Sequence, residues 1–112
     1  MPLENKNIID AIGLEESSNN VVLTIIDTTD WVSEEEHLNL IQGKLNAYLR
    51  FLESGEITQK YPNATGQNCV ISIIAQYKPT ENGFRFLDVA RSTIEQAGFG
   101  FRFELRQSDE AF

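Results

Sequence analysis

The sequence SEEEHLNLIQGKLNAYLRFLESG, residues 33–55, decides the fold, because it predicts one long amphipathic helix. Ser33 is a good N-cap residue, and Glu36 three positions later completes a Ser-x-x-Glu capping box. Gly55 ends the helix, since glycine readily takes the left-handed backbone conformation of a C-cap. Apolar residues at spacings of three and four predict one buried stripe with Tyr48 at its border. The stripe contains Leu38, Ile41, Leu45, Leu49 and Leu52.

The segments around this helix predict four strands and a second helix. The strands are expected near residues 8–14, 21–28, 68–77 and 99–105, and the second helix over residues 83–97, where it buries Phe84. In the last strand, Phe101, Phe103 and Leu105 are expected to face the helices. The order β-β-α-β-α-β predicts an α+β fold, a two-layer sandwich in which two helices cover one face of a mixed sheet of about four strands. Residues 1–105 are predicted to form a single domain and residues 106–112 a flexible polar tail.

Composition excludes several classes of partner. The chain has 112 residues, with 9 basic and 17 acidic side chains and a net charge of -8, which repels nucleic acid and anionic membranes. The sequence has no apolar run long enough to span a membrane, and residues 1–10 lack the basic segment followed by an apolar one that is typical of a signal peptide, so a soluble protein is expected. The lone Cys69 cannot form an internal disulfide, which favours a reducing compartment and predicts a cytoplasmic protein. A basic protein is a suitable partner, although an acidic surface also serves solubility alone.

One face of the predicted sheet is a candidate interaction surface. If both helices lie on the same side, alternation along the strands places Val22, Ile26, Val70 and Ile74 exposed on the other side, with Arg102 beside them. Exposed apolar patches often mark interfaces. The alternatives are that the tail or the first strand covers this face, or that the four residues are scattered. A partner on this face would be a second copy, making a homodimer, or another protein.

The junction between the second strand and the long helix is the candidate polar site. Carboxylates and one imidazole gather there, at Asp27, Asp30, Glu34 and His37, a chemistry that suits a divalent cation or acid–base catalysis. However, acidic residues in a first turn also offset the helix dipole. His37 is expected to be exposed or half-packed, near Trp31. Cys69 falls on the core face, and no motif identifies a catalytic residue, a metal site or a cofactor.

The outer side of the long helix is polar and is expected to be solvated or to serve as an interaction surface. Its residues are Asn39, Gln42, Lys44, Asn46, Arg50 and Glu53. Asn46 and Glu53 therefore join Trp31 and the four residues of the junction in the candidate polar site.

Several segments resemble a family of small bacterial proteins of unknown function over most of the chain. The similarity is carried by EEHL at residues 35–38, KLNAYL at residues 44–49, FLESGE at residues 51–56 and the pair Tyr61-Pro62. The resemblance implies a bacterial, single-domain, intracellular protein and transfers no catalytic residue. Gly43 departs from the ordinary helix formers expected at its position.

The combined prediction is a non-catalytic protein-interaction module that acts through self-association or a protein partner. An antitoxin-like or immunity protein, whose acidic surface masks a basic toxin, is one specific form. The alternative is a small enzyme or metal-binding protein with an acidic site around Asp27, Asp30, Glu34 and His37.

Overall fold

The computed structural model describes residues 11–62 and 68–106. The strands are β1 (Ala11–Glu15), β2 (Asn20–Asp27), β3 (Cys69–Ala75) and β4 (Gly100–Leu105), and the helices are α1 (Glu34–Ser54), α2 (Ile57–Lys60) and α3 (Glu81–Gln96). The predicted start of the first strand, at residues 8–10, and the tail after residue 106 lie outside the described residues. The single turn α2 lies between the predicted long helix and the predicted third strand, where no helix was predicted.

The four strands form one mixed sheet in the order β1-β2-β3-β4. β1 pairs antiparallel with β2, whereas the β2–β3 and β3–β4 pairs are parallel. Each parallel pair is joined through a long helix, as a crossover connection requires. Leu23 of β2 and Ile71 of β3 pack in one core with Ile41 of α1 and Leu87 of α3. The predicted α+β fold is therefore confirmed.

Helix α1 begins without the predicted capping box. Ser33 makes no side-chain capping bond, because its backbone (φ -104°, ψ 77°) is not the extended conformation that directs an N-cap hydroxyl at the first turn. Its carbonyl instead accepts from the His37 N–H at 2.9 Å. The predicted C-cap is confirmed, since Gly55 has φ 81°. The cap of α3 is a side chain, with Thr80 Oγ1 accepting from the Gly83 N–H at 3.1 Å.

The buried side of α1 is centred on Tyr48 rather than on the leucine stripe. Tyr48 is buried, and its hydroxyl donates to the Thr24 carbonyl of β2 at 3.1 Å. Ile41, Leu45 and Leu52 are also buried, whereas Leu49 is half-buried. The position predicted as a border thus contacts the sheet directly.

At the β4 edge, two predicted core residues are exposed. Phe84 is 41% exposed and Leu105 is 38% exposed, so their predicted burial is wrong. β4 is the last strand of the described sheet, and no described element lies beyond it. Phe84 lies in the first turn of α3 and meets Phe103 edge-on, with 6.3 Å between ring centroids. Apolar side chains therefore remain exposed to solvent along this side of the molecule.

Candidate functional site

The sheet face opposite the helices is called here the open sheet face. Strand register and alternation place on it a set of residues from all four strands. They are Ala11, Gly13 and Glu15 of β1, Val22, Thr24 and Ile26 of β2, Val70, Ser72 and Ile74 of β3, and Gly100, Arg102 and Glu104 of β4. No helix in the described part of the chain covers this set.

Exposure along the open sheet face is uneven. Ile26 is 40% exposed, and its neighbour in register, Ile74, is half-buried like Val22. Val70 is only 5% exposed, so the prediction of four exposed apolar residues is wrong at this position. Gly100 is its neighbour in register on β4, where an added Cβ would meet Val70 Cγ2 at 3.0 Å. Val70 therefore packs into the space that glycine leaves on the adjacent strand.

Charged side chains on this face pair with one another. Arg102 donates to both carboxylate oxygens of Glu15, at 2.7 and 2.9 Å, and so joins the two outer strands. The Arg102 guanidinium, with a smaller contribution from the Ser18 hydroxyl, lowers the pKa of Glu15 to about 2. Glu104 pairs with Arg106 at 2.7 Å. Positive and negative charges on this face therefore balance locally.

The predicted polar junction contains a buried pair. His37 Nε2 lies 2.7 Å from Asp27 Oδ2, and the two side chains are 1% and 2% exposed. The Trp31 ring stacks on the His37 ring with centroids 3.9 Å apart. The predicted proximity of Trp31 and His37 is confirmed, but the predicted exposure of His37 is wrong. The first turn of α1 presses the imidazole against the end of β2, where burial requires a polar partner.

The contacts of the Asp27 carboxylate indicate the direction of its hydrogen bond with His37. The other Asp27 oxygen, Oδ1, accepts from the Thr29 N–H at 3.1 Å. Because a carboxylate only accepts, His37 Nε2 is the donor in its contact with Asp27. His37 Nδ1 and Trp31 Nε1 are buried without a hydrogen-bond partner among the described residues.

The other two predicted members of the junction have different partners. Asp30 Oδ1 accepts from the Val32 N–H at 3.1 Å. Glu34 accepts from the Thr80 hydroxyl and from Asn82 Nδ2, and so connects α1 to the start of α3. Across residues 11–62 and 68–106, no group of three or more His, Cys, Asp or Glu side chains is arranged to hold a metal ion. The predicted four-residue set thus separates into one buried pair, one local contact at Asp30 and one contact between helices at Glu34.

A polar cleft of about 340 Å³ lies between the end of β2 and the first turn of α1. Its lining consists of Thr28, Thr29, Asp30, Ser33, Glu36, His37 and Leu40. Hydroxyl and carboxylate oxygens dominate this lining, so it favours hydrogen-bond donors over anions.

One residue that was predicted on the polar outer side of α1 is buried instead. Lys44 is fully buried, so its prediction as a surface residue is wrong. Its Nζ lies 5.6 Å from the centroid of the Tyr48 ring, a cation–π distance. Asn46 lines a shallow groove of about 150 Å³ between α1 and α3. Glu53 is exposed near the end of α1, about 24 Å along the helix from His37, so these residues do not form one site.

Sequence reasoning missed the burial of His37 and Lys44, although a signal was present. Residues 37, 41, 44 and 48 follow helical spacing and form one continuous face. Two polar residues within that face indicated a core with internal polar contacts.

Fold and surface together define the class, a two-layer α+β protein with one open face on a mixed sheet. The chain belongs to the family of unknown function DUF6572, which matches residues 1–107. This match confirms the resemblance to a small uncharacterised domain. Neither the curated proteins nor the solved structures contain a match. Within residues 11–62 and 68–106, no helix is both long and apolar enough to cross a membrane.

Proposed function

We propose that this chain is a non-catalytic protein-association module whose contact surface is the open sheet face. The observation that carries the proposal is the apolar pair Ile26 and Ile74, which lie side by side on β2 and β3 on the face without a described helix. Ile26 is 40% exposed there. Burial of this pair and of Val22 against a partner would remove apolar surface from water.

The charges around this pair support the same proposal. The Arg102–Glu15 pair crosses the sheet from β4 to β1, and Glu104, in register with Ile74, pairs with Arg106, so the charges on this face are already balanced within the chain. The net charge of -8 elsewhere favours the approach of a basic protein. An antitoxin-like or immunity role, in which the chain masks a basic protein, is the specific form of association that this charge supports.

The cellular setting is part of the proposal. The single cysteine, Cys69, is buried in the core, and burial raises the pKa of its thiol, which keeps it protonated and unreactive. A protein of this kind suits a reducing bacterial cytoplasm.

Site-specific photocrosslinking in native cells tests the proposal. A photoreactive amino acid at Thr24, on the open sheet face, is expected to give an adduct with a second protein. The same amino acid at Asn39, exposed on α1, is the positional control. The Ile26→Asp substitution should abolish the Thr24 adduct by placing a charge at the apolar centre. Val32→Asp, at an apolar residue that is 87% exposed before α1, should leave it intact.

The opposite results would refute the proposal. An adduct of equal yield from Asn39, or one from Thr24 that survives Ile26→Asp, would show that the open sheet face is not the contact surface. Absence of any adduct from Thr24 would count equally against it. Circular dichroism of both aspartate variants checks that they are folded.

A further inference from the structure

The dipeptide Asn82-Gly83 in the first turn of α3 is chemically distinct from the rest of the chain. Asn82 is the one asparagine in the sequence that a glycine follows. Asparagine is a thermolabile residue, and the amide nitrogen of a following glycine, which no Cβ shields, can attack its side chain. We propose that Asn82 is a site of spontaneous deamidation, and that the first turn of α3 holds the reaction back in the folded protein. This modification involves neither the open sheet face nor a partner, so it goes beyond the proposed function.

The reaction consumes water and needs no other reactant. The Gly83 nitrogen attacks the side-chain carbon Cγ of Asn82, and a bond forms between these two atoms. The bond from Cγ to Nδ2 breaks, and ammonia leaves with the proton of the Gly83 N–H. Water then opens the cyclic imide at either of its carbonyls. The product at residue 82 is aspartate or isoaspartate, so one amide and one water have become one carboxyl group and one ammonia.

The surroundings of the Asn82 side chain suit this attack. Asn82 is exposed, so water reaches it. Its Oδ1 accepts from Arg85 Nη1 at 3.3 Å, and attack at Cγ develops negative charge on this oxygen, which the guanidinium stabilises. Its Nδ2, the nitrogen that leaves, donates to Glu34 Oε1 at 3.4 Å.

The capped first turn of α3 opposes the same attack. The Gly83 N–H donates to Thr80 Oγ1 at 3.1 Å, and the Phe84 N–H donates to the Thr80 carbonyl at 2.9 Å. The attacking nitrogen must lose its proton and turn towards Asn82 Cγ, so the turn has to open first. Local openings of this kind occur in folded proteins without global unfolding. The Thr80 cap therefore controls how often the reactive geometry forms.

Trp31 is a second restraint on this peptide. Gly83 is buried, and a Cβ added to it would lie 2.9 Å from Trp31 Cη2 and 3.0 Å from Trp31 Cζ3. The indole ring thus lies directly against the Gly83 backbone, and a larger residue would displace it. Packing of Trp31 therefore requires the glycine that makes Asn82 reactive, and it also holds that glycine in place.

Each product would weaken the contact between α1 and α3. Aspartate at residue 82 places a second carboxylate beside Glu34, and like charges at this distance repel. Isoaspartate directs the main chain through Cγ, and the added backbone carbon shifts Gly83 against the Trp31 ring. The same ring stacks on His37, so this product also disturbs the packing of the buried Asp27–His37 pair.

Incubation of the full chain at mildly alkaline pH, followed by peptide mass spectrometry, tests the proposal. Deamidation is expected at Asn82 ahead of every other asparagine, and it should be faster in urea than in native buffer. Thr80→Ala should speed the reaction in native buffer by about fivefold or more, because loss of an N-cap raises the population of the opened turn by that factor. Asn82→Gln should remove the site.

Ile57→Val is the matched control for this substitution. Ile57 is buried in α2, which follows the end of α1 that lies away from Glu34. Loss of one buried methyl group lowers global stability by about as much as loss of an N-cap. A reaction that required global unfolding would be accelerated alike by both substitutions. Opening of the first turn alone predicts that Ile57→Val leaves the rate at Asn82 unchanged.

Fluorescence of the single tryptophan, Trp31, provides a second readout. The isoaspartate form, separated by chromatography, should differ in emission from Asn82→Asp, which keeps a normal backbone. Identical emission from the two would disprove the effect on packing. The proposal would be overturned by equal rates at Asn82 in native buffer and in urea, by a Thr80→Ala rate no higher than that of Ile57→Val, or by a faster site at another asparagine.

Discussion

Replacement of Asp27 tests how the buried Asp27–His37 pair contributes to folding. The carboxylate accepts the His37 Nε2 proton through Oδ2 and the Thr29 N–H through Oδ1. Asp27→Ala removes both acceptors. Asp27→Asn keeps the size and shape of the side chain but offers one acceptor and one donor.

The two variants are expected to differ widely in stability. A buried donor that loses its acceptor costs about 1–3 kcal/mol, and the half-buried Thr29 N–H loses a hydrogen bond worth about 0.5–1.5 kcal/mol, so Asp27→Ala should lower the free energy of unfolding by about 2–4 kcal/mol. The side-chain amide that Asp27→Asn introduces can accept from Thr29 and donate to His37 Nε2 if the imidazole moves its proton to Nδ1. Asp27→Asn should then cost about 1 kcal/mol, the difference between a charge-assisted hydrogen bond and a neutral one.

The single tryptophan and the single histidine of the chain make both effects measurable. Urea unfolding followed by Trp31 fluorescence reports stability, since the Trp31 ring stacks on His37. Nitrogen NMR shifts of the imidazole report which ring nitrogen is protonated. Equal losses of stability in the two variants, or an Asp27→Asn protein whose His37 proton stays on Nε2, would refute this account.

Two further predictions concern helix capping and pH. Thr80→Ala should lower the free energy of unfolding by about 1 kcal/mol or more, because the Thr80 hydroxyl caps α3 at Gly83 and donates to Glu34. Ser33→Ala should lower it by less than about 0.5 kcal/mol, since the Ser33 side chain makes no capping bond. Urea unfolding measures both, and a larger loss of stability at Ser33 than at Thr80 would contradict the observed caps. Since the folded pKa of Glu15 is lowered from 4.5 to about 2, its stabilising contribution should be complete above pH 4.5 and disappear as the pH falls towards 2. A carboxyl NMR titration of Glu15 should show this midpoint, Arg102→Gln should move it towards 4.5, and an unchanged midpoint in that variant would disprove the cause.

Local sequence patterns were sufficient for the elements themselves. The 3.6-residue periodicity and Gly55 identified α1, and the apolar runs identified β2 and β3, because helical and strand spacing and a left-handed C-cap are properties of neighbouring residues. The order of these elements then led to an α+β sandwich with helices on one face. The same reasoning failed at Ser33, where capping depends on one backbone conformation that the residue type does not determine.

Only the tertiary structure decided which polar residues lie inside. Asp27 and His37 come from a strand and a helix, and Glu34 meets Thr80 across 46 positions of sequence. Lys44 carries a charged side chain of the kind that usually lies at the surface, but the packing of α1 on the sheet buries it. Strand register places Val70 beside Gly100, and Val70 packs into the space above that glycine. Periodicity along one segment predicts which side of that segment is buried, whereas the contacts on that side depend on how separate segments align in space.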